Sequence, residues 1–484
     1  MIKNNIITAC DSYKLFHWKM MGAKADHIYS YCEARNSGEY DFVKWFGLQA
    51  VIKEHFVGKV VEQWMLDEAK EISKQHLGDE KFLNIEMWQT IIDEFDGHLP
   101  LCIKSAPEGE IIPNGNVLFT ITDTDEKGRF APLVNYVESV LMHVWYPTTV
   151  CTRSHNIVKH LKGYAEKSSD KEGFWKFMLH DFGFRSTTGC EAGGLGGMAH
   201  LVNSLGTDTV PAMRYAKHYY GASYENLAFS VAATEHQIPC LYGEGAQEEY
   251  ILDMIRLVPD GIISLVSDTF GIEGFIDNIV PNVKEEILAR HEKSDNPMTK
   301  VVFRPDSLRS KEDTPAEQVL YIIESLAKTF GYDTNTKNYK TLHPGIGVLW
   351  GDGVTEVEIY ELYENLMAAG WSADNLVVGQ GGGLLQKLNR DTQRFAIKAS
   401  SFCKDGLWKP MQKKPTDQSK ASKAGRLKLV KELDLEGNSG YKTINEFNPL
   451  YHDMKDELKT VFENGVLLID ETFETIRNRG ILAQ

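Results

Sequence analysis

Four short apolar runs in the second half of the chain each end in residues that can do chemistry. Ile262–Val266 runs into Ser267-Asp268, and Val301–Phe303 into Arg304-Pro305-Asp306. Ile346–Trp350 runs into Gly351-Asp352-Gly353, and Leu376–Val378 into Gly379-Gln380-Gly381-Gly382-Gly383. Taken singly, each tail reads equally well as a turn or a helix cap. Four in succession point to a site, because parallel α/β sheets and barrels build their sites at the C-terminal ends of strands. The glycine run lets backbone amides approach an anion. It lacks the Gly-Lys-Ser/Thr ending of a P-loop and the spacing of a dinucleotide fingerprint, so it suits a single phosphate. His236, beside Glu235, could be a base, a ligand or a phosphate acceptor, or a structural histidine. A basic island at Lys404, Lys409, Lys413, Lys414, Lys420, Lys423, Arg426 and Lys428 is opposed only by Asp405 and Asp417. It would attract a compact polyanion, and reads alternatively as a solvated loop.

The elements that must position these residues are legible in part. The four runs read as buried parallel strands, with Phe395–Ala399 as a further candidate. Between them lie helical patterns. Thr314-Pro315-Ala316-Glu317 opens one with a cap, a first-turn proline and a capping-box glutamate. Val319, Ile322, Ile323, Leu326 and Phe330 give it one apolar face, and Gly331 stops it. A second runs through Val357, Ile359, Leu362, Leu366 and Met367 to Gly370. Alternation of strand and helix implies an α/β fold. Gly194-Leu-Gly-Gly-Met-Ala matches a dinucleotide spacing, but Gly189-Cys190-Glu191 before it is not strand-like, so close helix packing is expected. Ile28–Tyr31, Val117–Ile121, Leu427–Val430 and Gly465–Ile469 are strand candidates at the two ends of the chain, which are expected to form a second, β-containing domain. The expected divisions are an α+β part over 1–145, an α/β barrel carrying the active site over 146–400, and a C-terminal part over 401–484 that packs with the N-terminal region.

Composition narrows the function classes. The chain has 484 residues, 42% hydrophobic and 25% charged, and a net charge of -16. An acidic surface repels phosphate backbones, so nucleic acid is not an expected partner. No stretch has the length and apolarity of a signal peptide core or a membrane span, so no membrane association is expected. The seven cysteines are scattered, odd in number and without a CxxC pair. That fits reduced thiols in the cytoplasm.

A run of short segments, in order along most of the chain, resembles the nicotinamide phosphoribosyltransferases, which are type II phosphoribosyltransferases. The segments are Asp11-Ser-Tyr-Lys, Tyr29-Ser-Tyr, Gly97-His-Leu-Pro, Trp145-Tyr-Pro, His180-Asp-Phe-Gly-Phe-Arg, Gly206-Thr-Asp-Thr-Val, Glu235-His236, Val266-Ser-Asp, Arg304-Pro-Asp-Ser, Gly351-Asp-Gly-Val and Gly381-Gly-Gly-Leu-Leu-Gln-Lys-Leu. The resemblance implies an irregular α/β barrel with an additional β-rich domain built from both chain ends. It implies transfer of phosphoribosyl from phosphoribosyl pyrophosphate to nicotinamide, giving nicotinamide mononucleotide and pyrophosphate for NAD synthesis. A magnesium ion, coupled ATP hydrolysis and a homodimer with shared active sites are part of that implication.

By the same resemblance, nicotinamide lies between Phe182 and Tyr13, the latter from the other subunit. Asp208 accepts from the carboxamide NH2, Arg185 helps to hold the carboxamide oxygen, and Ser264 is a pocket serine. Arg304, Gly351, Asp352, Gly381 and Gly382 serve the ribose phosphate. Asp306 contacts the ribose and the magnesium-pyrophosphate region. Arg35, Arg390, Lys398, Lys413 and Lys420 neutralise the pyrophosphate. His236 is the phosphorylated histidine, with Glu235 and Asp268 as candidates to orient its ring. Gln380 stands where the family usually has serine, Phe184 replaces a tyrosine, and Tyr242-Gly243 replaces Trp-Gly. Nicotinate is the alternative substrate, and the carboxylate of Asp208 argues against it.

Overall fold

A computed structural model describes residues 4–416, 421–433, 439–451 and 453–483. Its backbone divides into two compact units, one of Met1–Thr152, Ala216–Ala222 and Leu388–Ala483, the other of Arg153–Tyr215 and Ser223–Lys387.

The second unit is built on seven parallel strands. In chain order they are β1 (Leu179–Asp181), β2 (Gly206–Thr207), β3 (Ala232–Ala233), β4 (Ile262–Val266), β5 (Lys300–Arg304), β6 (Ile346–Trp350) and β7 (Leu376–Gln380). Their spatial order is β2-β1-β7-β6-β5-β4-β3. The segment around residues 229–233 joins both edges. Phe229 bridges to Gly206 of β2, and Ala232–Ala233 pair with Ile263–Ser264 of β4. The curled sheet therefore closes on itself as an irregular α/β barrel.

The local signals act as the sequence suggests. The Thr314 hydroxyl accepts from the Glu317 amide, and the Glu317 carboxylate accepts from the Thr314 amide at 2.8 Å. This capping box opens the helix Pro315–Phe330, whose Val319, Ile322, Ile323 and Leu326 are at most 1% exposed. Burying such a side chain is worth roughly 1.5–3 kcal/mol. The helix Glu356–Ala368 opens with a second capping box, Thr355 with Glu358. Glycines in the helix Cys190–His200 do serve close packing. A Cβ on Gly194 would sit 2.5 Å from the Tyr215 ring, and one on Gly197 would sit 2.7 Å from Ala212.

The first unit carries a seven-stranded antiparallel sheet. Its order is Leu407–Pro410, Phe395–Lys404, His27–Ala34, Val117–Asp123, Leu101–Ser105, Lys459–Glu463 and Val466–Leu467. Three strands from the N-terminal part lie side by side at its centre, flanked on each side by two from the C-terminal part, which makes it the β-rich domain drawn from both ends. Tyr31, Cys32, Trp45, Ile103 and Phe119 are fully buried in its core. One expectation fails here. Phe395–Ala399 is not a parallel strand of the barrel. It begins Phe395–Lys404, which pairs antiparallel with His27–Ala34. A short apolar run carries no record of its partner's direction, and the chain turns at Arg394, in the left-handed region at φ 51°. Among the described residues no helix is long and apolar enough to cross a membrane.

Candidate active site

The barrel unit holds a cavity of about 620 Å³. Phe182, Asp208, Ser264 and Arg304 all line it, together with His180 and Ser230. Phe182 and Asp208 follow β1 and β2, Arg304 ends β5, and His180 and Ser264 lie within β1 and β4. Phe182 follows β1 directly, and its amide donates to the Gln380 carbonyl of β7 at 3.0 Å. Its ring occupies the space a side chain at position 379 would need. A Cβ on Gly379 would lie 2.0 Å from Phe182 Cε2. Glycine at 379 is therefore a condition for this placement of the ring.

Asp208 follows β2. Its amide donates to the Asp181 carbonyl at 2.9 Å, and its Oδ1 accepts from the Ser230 hydroxyl at 2.5 Å. A charge-assisted bond of this length fixes the carboxylate and leaves Oδ2 as an acceptor. Nearby Asp181 is fully buried, and burial pushes its carboxyl up to about 6 despite the bond from the Gly183 amide at 2.7 Å. Burial holds the His180 imidazole below the ordinary histidine value, against the opposing pull of Asp208. Among the described residues, the Ser264 hydroxyl, 1% exposed, has no hydrogen-bond partner.

A second cluster stands at the ends of β4, β5 and β6. His236 Nε2 lies 3.2 Å from Asp268 Oδ1, and its Nδ1 lies 4.0 Å from Asp306 Oδ2. The Asp268 side chain is 2% exposed, and its other oxygen accepts from the Asp306 amide at 3.0 Å and from the Ser307 hydroxyl. Asp268 thus fixes both the imidazole and the backbone that carries Asp306. Arg304 Nη2 donates to the Thr234 carbonyl at 2.7 Å, which ties the arginine to the segment bearing His236. Burial raises the Asp352 carboxyl, and the charges of Asp306 and Asp268 push the same way.

The cavity and this cluster meet at Gly351. Within 4 Å of where its Cβ would stand lie Phe182 Cε2, Asp306 Oδ1 and Arg304 Cδ. Gly381 has the Phe182 carbonyl as its corresponding neighbour, and Gly382 has Ser186. The Gly381 and Gly382 carbonyls accept from amides further along the same turn. The amides of Gly381, Gly382 and Gly383 have no acceptor among the described residues, which is the pattern of a backbone anion nest.

Two expected residues stand apart. Arg185, on the 3-10 turn Phe184–Ser186, is exposed and does not line the cavity. Glu235 is exposed, and among the described residues no hydrogen bond joins its side chain to His236. Ser230 and Ser307 were not singled out from the sequence. Ser307 completes the Arg304-Pro-Asp-Ser segment, whereas nothing local marks Ser230.

The other unit gathers a further set. The Lys398 ammonium is pushed down by burial, and the charges of Glu138, Arg35, Lys14 and Arg390 act on it. Tyr13 is half exposed, its hydroxyl donating to Asp11 at 3.1 Å, and it feels the charges of Glu138 and Arg390. Lys14 Nζ is bound to Glu138 at 2.8 Å. Lys413 is exposed, its backbone paired with Ser422. Lys420 lies outside the described residues. Among the described residues, no group of three or more His, Cys, Asp or Glu could hold a metal ion.

The chain matches two family models. One is the N-terminal domain of nicotinamide phosphoribosyltransferase, over residues 5–103, and the other is the nicotinate phosphoribosyltransferase (NAPRTase) family, over residues 177–466. The chain is 36% identical, over 479 residues, to a nicotinamide phosphoribosyltransferase of Xanthomonas campestris pv. campestris, covering 98% of this chain and 97% of that protein. It is 31% identical, over 504 residues, to a nicotinamide phosphoribosyltransferase of Acinetobacter baylyi, with 98% and 97% covered. Among solved structures, the human nicotinic acid phosphoribosyltransferase superposes with a TM-score of 0.56 at 14% identity, over 97% of this chain and 92% of that one. The nicotinate-nucleotide pyrophosphorylase of Pyrococcus furiosus gives 0.55 at 16%, over 99% and 95%. At these identities the structural likeness is one of fold.

Proposed function

The chain belongs to the nicotinamide phosphoribosyltransferase family, and from that premise we propose that it transfers phosphoribosyl from phosphoribosyl pyrophosphate to nicotinamide in NAD biosynthesis. The observation that carries this reading is the convergence of Phe182, Asp208 and Arg304 on one cavity, with Gly351 joining that cavity to Asp306. The flat pyridine stacks on the Phe182 ring. Asp208, its Oδ1 held by Ser230, accepts from the carboxamide N–H through Oδ2. A nicotinate carboxylate at the same place would meet a like charge and offer no donor, so the amide is preferred.

The transfer needs little proton chemistry. The pyridine nitrogen lone pair attacks C1′ of the ribose as the C1′–O bond to pyrophosphate breaks. Positive charge grows on the sugar and negative charge on the leaving group. Arg304 and the amides of Gly381–Gly383 hold the 5′-phosphate, and Asp352 and Asp306 hold the ribose hydroxyls. The main contribution is positioning of two bound reactants. Asp306 would meet a magnesium ion carried in on the pyrophosphate, since among the described residues no group of three or more His, Cys, Asp or Glu could hold one by protein alone. When bound, it supplies charge neutralisation to the departing group.

The coupling to ATP is assigned to His236. With Nε2–H donated to Asp268, the Nδ1 lone pair is left as the nucleophile for a γ-phosphoryl group. The P–O bond to ADP breaks as the P–N bond forms, and the added negative charge stands next to Asp306. In a homodimer, Tyr13 of a second copy supplies the other aromatic face, and Arg35, Arg390, Lys398, Lys413 and Lys420 serve the pyrophosphate. Seven free cysteines suit a reducing cytoplasm.

Purified protein with phosphoribosyl pyrophosphate, magnesium and each pyridine in turn tests the reading. Nicotinamide is expected to exceed nicotinate in kcat/KM by orders of magnitude, and Asp208→Ala to cut that ratio at least about tenfold. A preference for nicotinate in the wild type would overturn the assignment of the substrate.

A further inference from the structure

The glycine turn after β7 is held from behind by two side chains to which no role has been given so far. Arg153, on the helix Trp145–Ser168, is 6% exposed. Its Nη1 donates to the Gly383 carbonyl at 2.7 Å and to the Lys387 carbonyl at 3.0 Å. The second side chain is Gln380, 1% exposed, whose Nε2 donates to the Val354 carbonyl at 3.0 Å. A Cβ on Gly383 would stand 2.9 Å from that same Nε2 and 3.0 Å from the Val354 carbonyl. The turn is thus packed directly on the Gln380–Val354 bond, with Arg153 holding the carbonyls at its far end.

We propose that Arg153 and Gln380 are positioning residues that set the Gly381–Gly383 amides for the phosphate of the sugar substrate. The inference rests on the phosphoribosyl-transfer reading above. A buried guanidinium is held where carbonyls satisfy it, and removing it leaves the Gly383 and Lys387 oxygens without that donor. The turn then gains freedom to rotate its peptide planes. Three amides converge on an anion only while those planes are fixed. Both bonds leave one nitrogen, Nη1, at the far end of a side chain longer than lysine's, so Arg153→Lys keeps the charge and draws the donor back from the two carbonyls. Gln380→Ser shortens the side chain to the residue usual in the family and breaks the bond to Val354.

The test is steady-state kinetics of the full-length protein with each substrate varied, together with calorimetric titration of phosphoribosyl pyrophosphate without the pyridine. Arg153→Lys and Gln380→Ser are each expected to raise the KM and the Kd for phosphoribosyl pyrophosphate about tenfold. The KM for nicotinamide should stay within about twofold. A structural role alone would lower the active fraction, and with it kcat, leaving both KM values in place. That result, or an unchanged affinity for phosphoribosyl pyrophosphate in both variants, would overturn the inference. If Arg153→Lys fails to fold, Gln380→Ser decides alone. A wild type without transferase activity would instead defeat the functional reading itself, so the two failures are distinct.

Discussion

Replacing Gly379 with alanine tests the nicotinamide pocket without touching any polar group in it. The added Cβ would lie 2.0 Å from Phe182 Cε2, 2.2 Å from Cδ2 and 2.8 Å from Cζ. Ordinary contact begins at 3.4 Å, so the ring must retreat by more than 1 Å. The Phe182 backbone cannot follow freely, because its amide is bonded to the Gln380 carbonyl next along the same strand. The ring therefore tilts or shifts within the cavity. An aromatic stack is worth about 0.5–1.5 kcal/mol, so losing it should raise the KM for nicotinamide about 2- to 13-fold. A misplacement of about 1 Å can also lower kcat, by up to about 100-fold. The KM for phosphoribosyl pyrophosphate should hardly change. Steady-state kinetics on Gly379→Ala, Phe182→Ala and the double variant form a cycle. In the Phe182→Ala background there is no ring to displace, so Gly379→Ala should add little. Unchanged nicotinamide kinetics in the single variant, or an equal loss with and without the ring, would refute the reasoning.

His236→Ala should keep basal transfer and lose stimulation by ATP, measured as pyrophosphate release with and without ATP; an undiminished ATP response would remove the phosphohistidine from the scheme. Stability should also report the buried Asp181. Its carboxyl stands at about 6 in the folded protein against an ordinary 3.8, with burial as the chief cause. The unfolded chain loses this proton first as pH rises, so the group's contribution to stability falls from about pH 4 to pH 6 and stays lost above. Asp181→Asn should flatten that limb in denaturant titrations across this range and stabilise the protein near pH 7. An identical pH dependence in the variant would show that Asp181 is not the titrating group.

Much of the barrel was legible because its strands are buried on both faces and read as unbroken apolar runs. Ile262–Val266 and Ile346–Trp350 match β4 and β6 to the residue. The three remaining barrel strands, Leu179–Asp181, Gly206–Thr207 and Ala232–Ala233, have two or three residues each and leave no periodic trace. Yet they carry Phe182, Asp208 and His236 on or just after them. Phe182 and Asp208 were legible only through family resemblance, and His236 without it only as a histidine of open role. Phe395–Ala399 shows the limit in the other direction, since its composition is right for a strand while its sheet is set by a partner about 370 residues earlier. Pairings such as Ser230 with Asp208 depend on which strand ends the closed sheet brings together. No local spacing encodes that.

The charge distribution explains how a chain of net charge -16 can take a substrate made largely of phosphate. Attraction depends on local potential rather than on the total. In the β-rich unit, Arg35, Lys14, Arg390 and Glu138 are close enough for their charges to act on Lys398. Glu138 is already engaged by Lys14 at 2.8 Å, and Glu33 by Lys423. Arg35 lies 3.8 Å from Glu33 and Arg390 3.3 Å from Asp391, and the Lys398 ammonium is pushed down chiefly by burial, with Glu138 opposing and Arg35, Lys14 and Arg390 adding to it. Like charges held together in a partly dehydrated place raise the free energy of the unliganded state. On the proposed reading, a pyrophosphate bound among them would relieve that repulsion and favour the charged form of the lysine. Binding should therefore be coupled to proton uptake at Lys398, and affinity should fall as Lys398 deprotonates. Lys398→Met would remove that pH dependence along with part of the affinity. A retained alkaline loss of affinity in this variant would place the titrating group elsewhere.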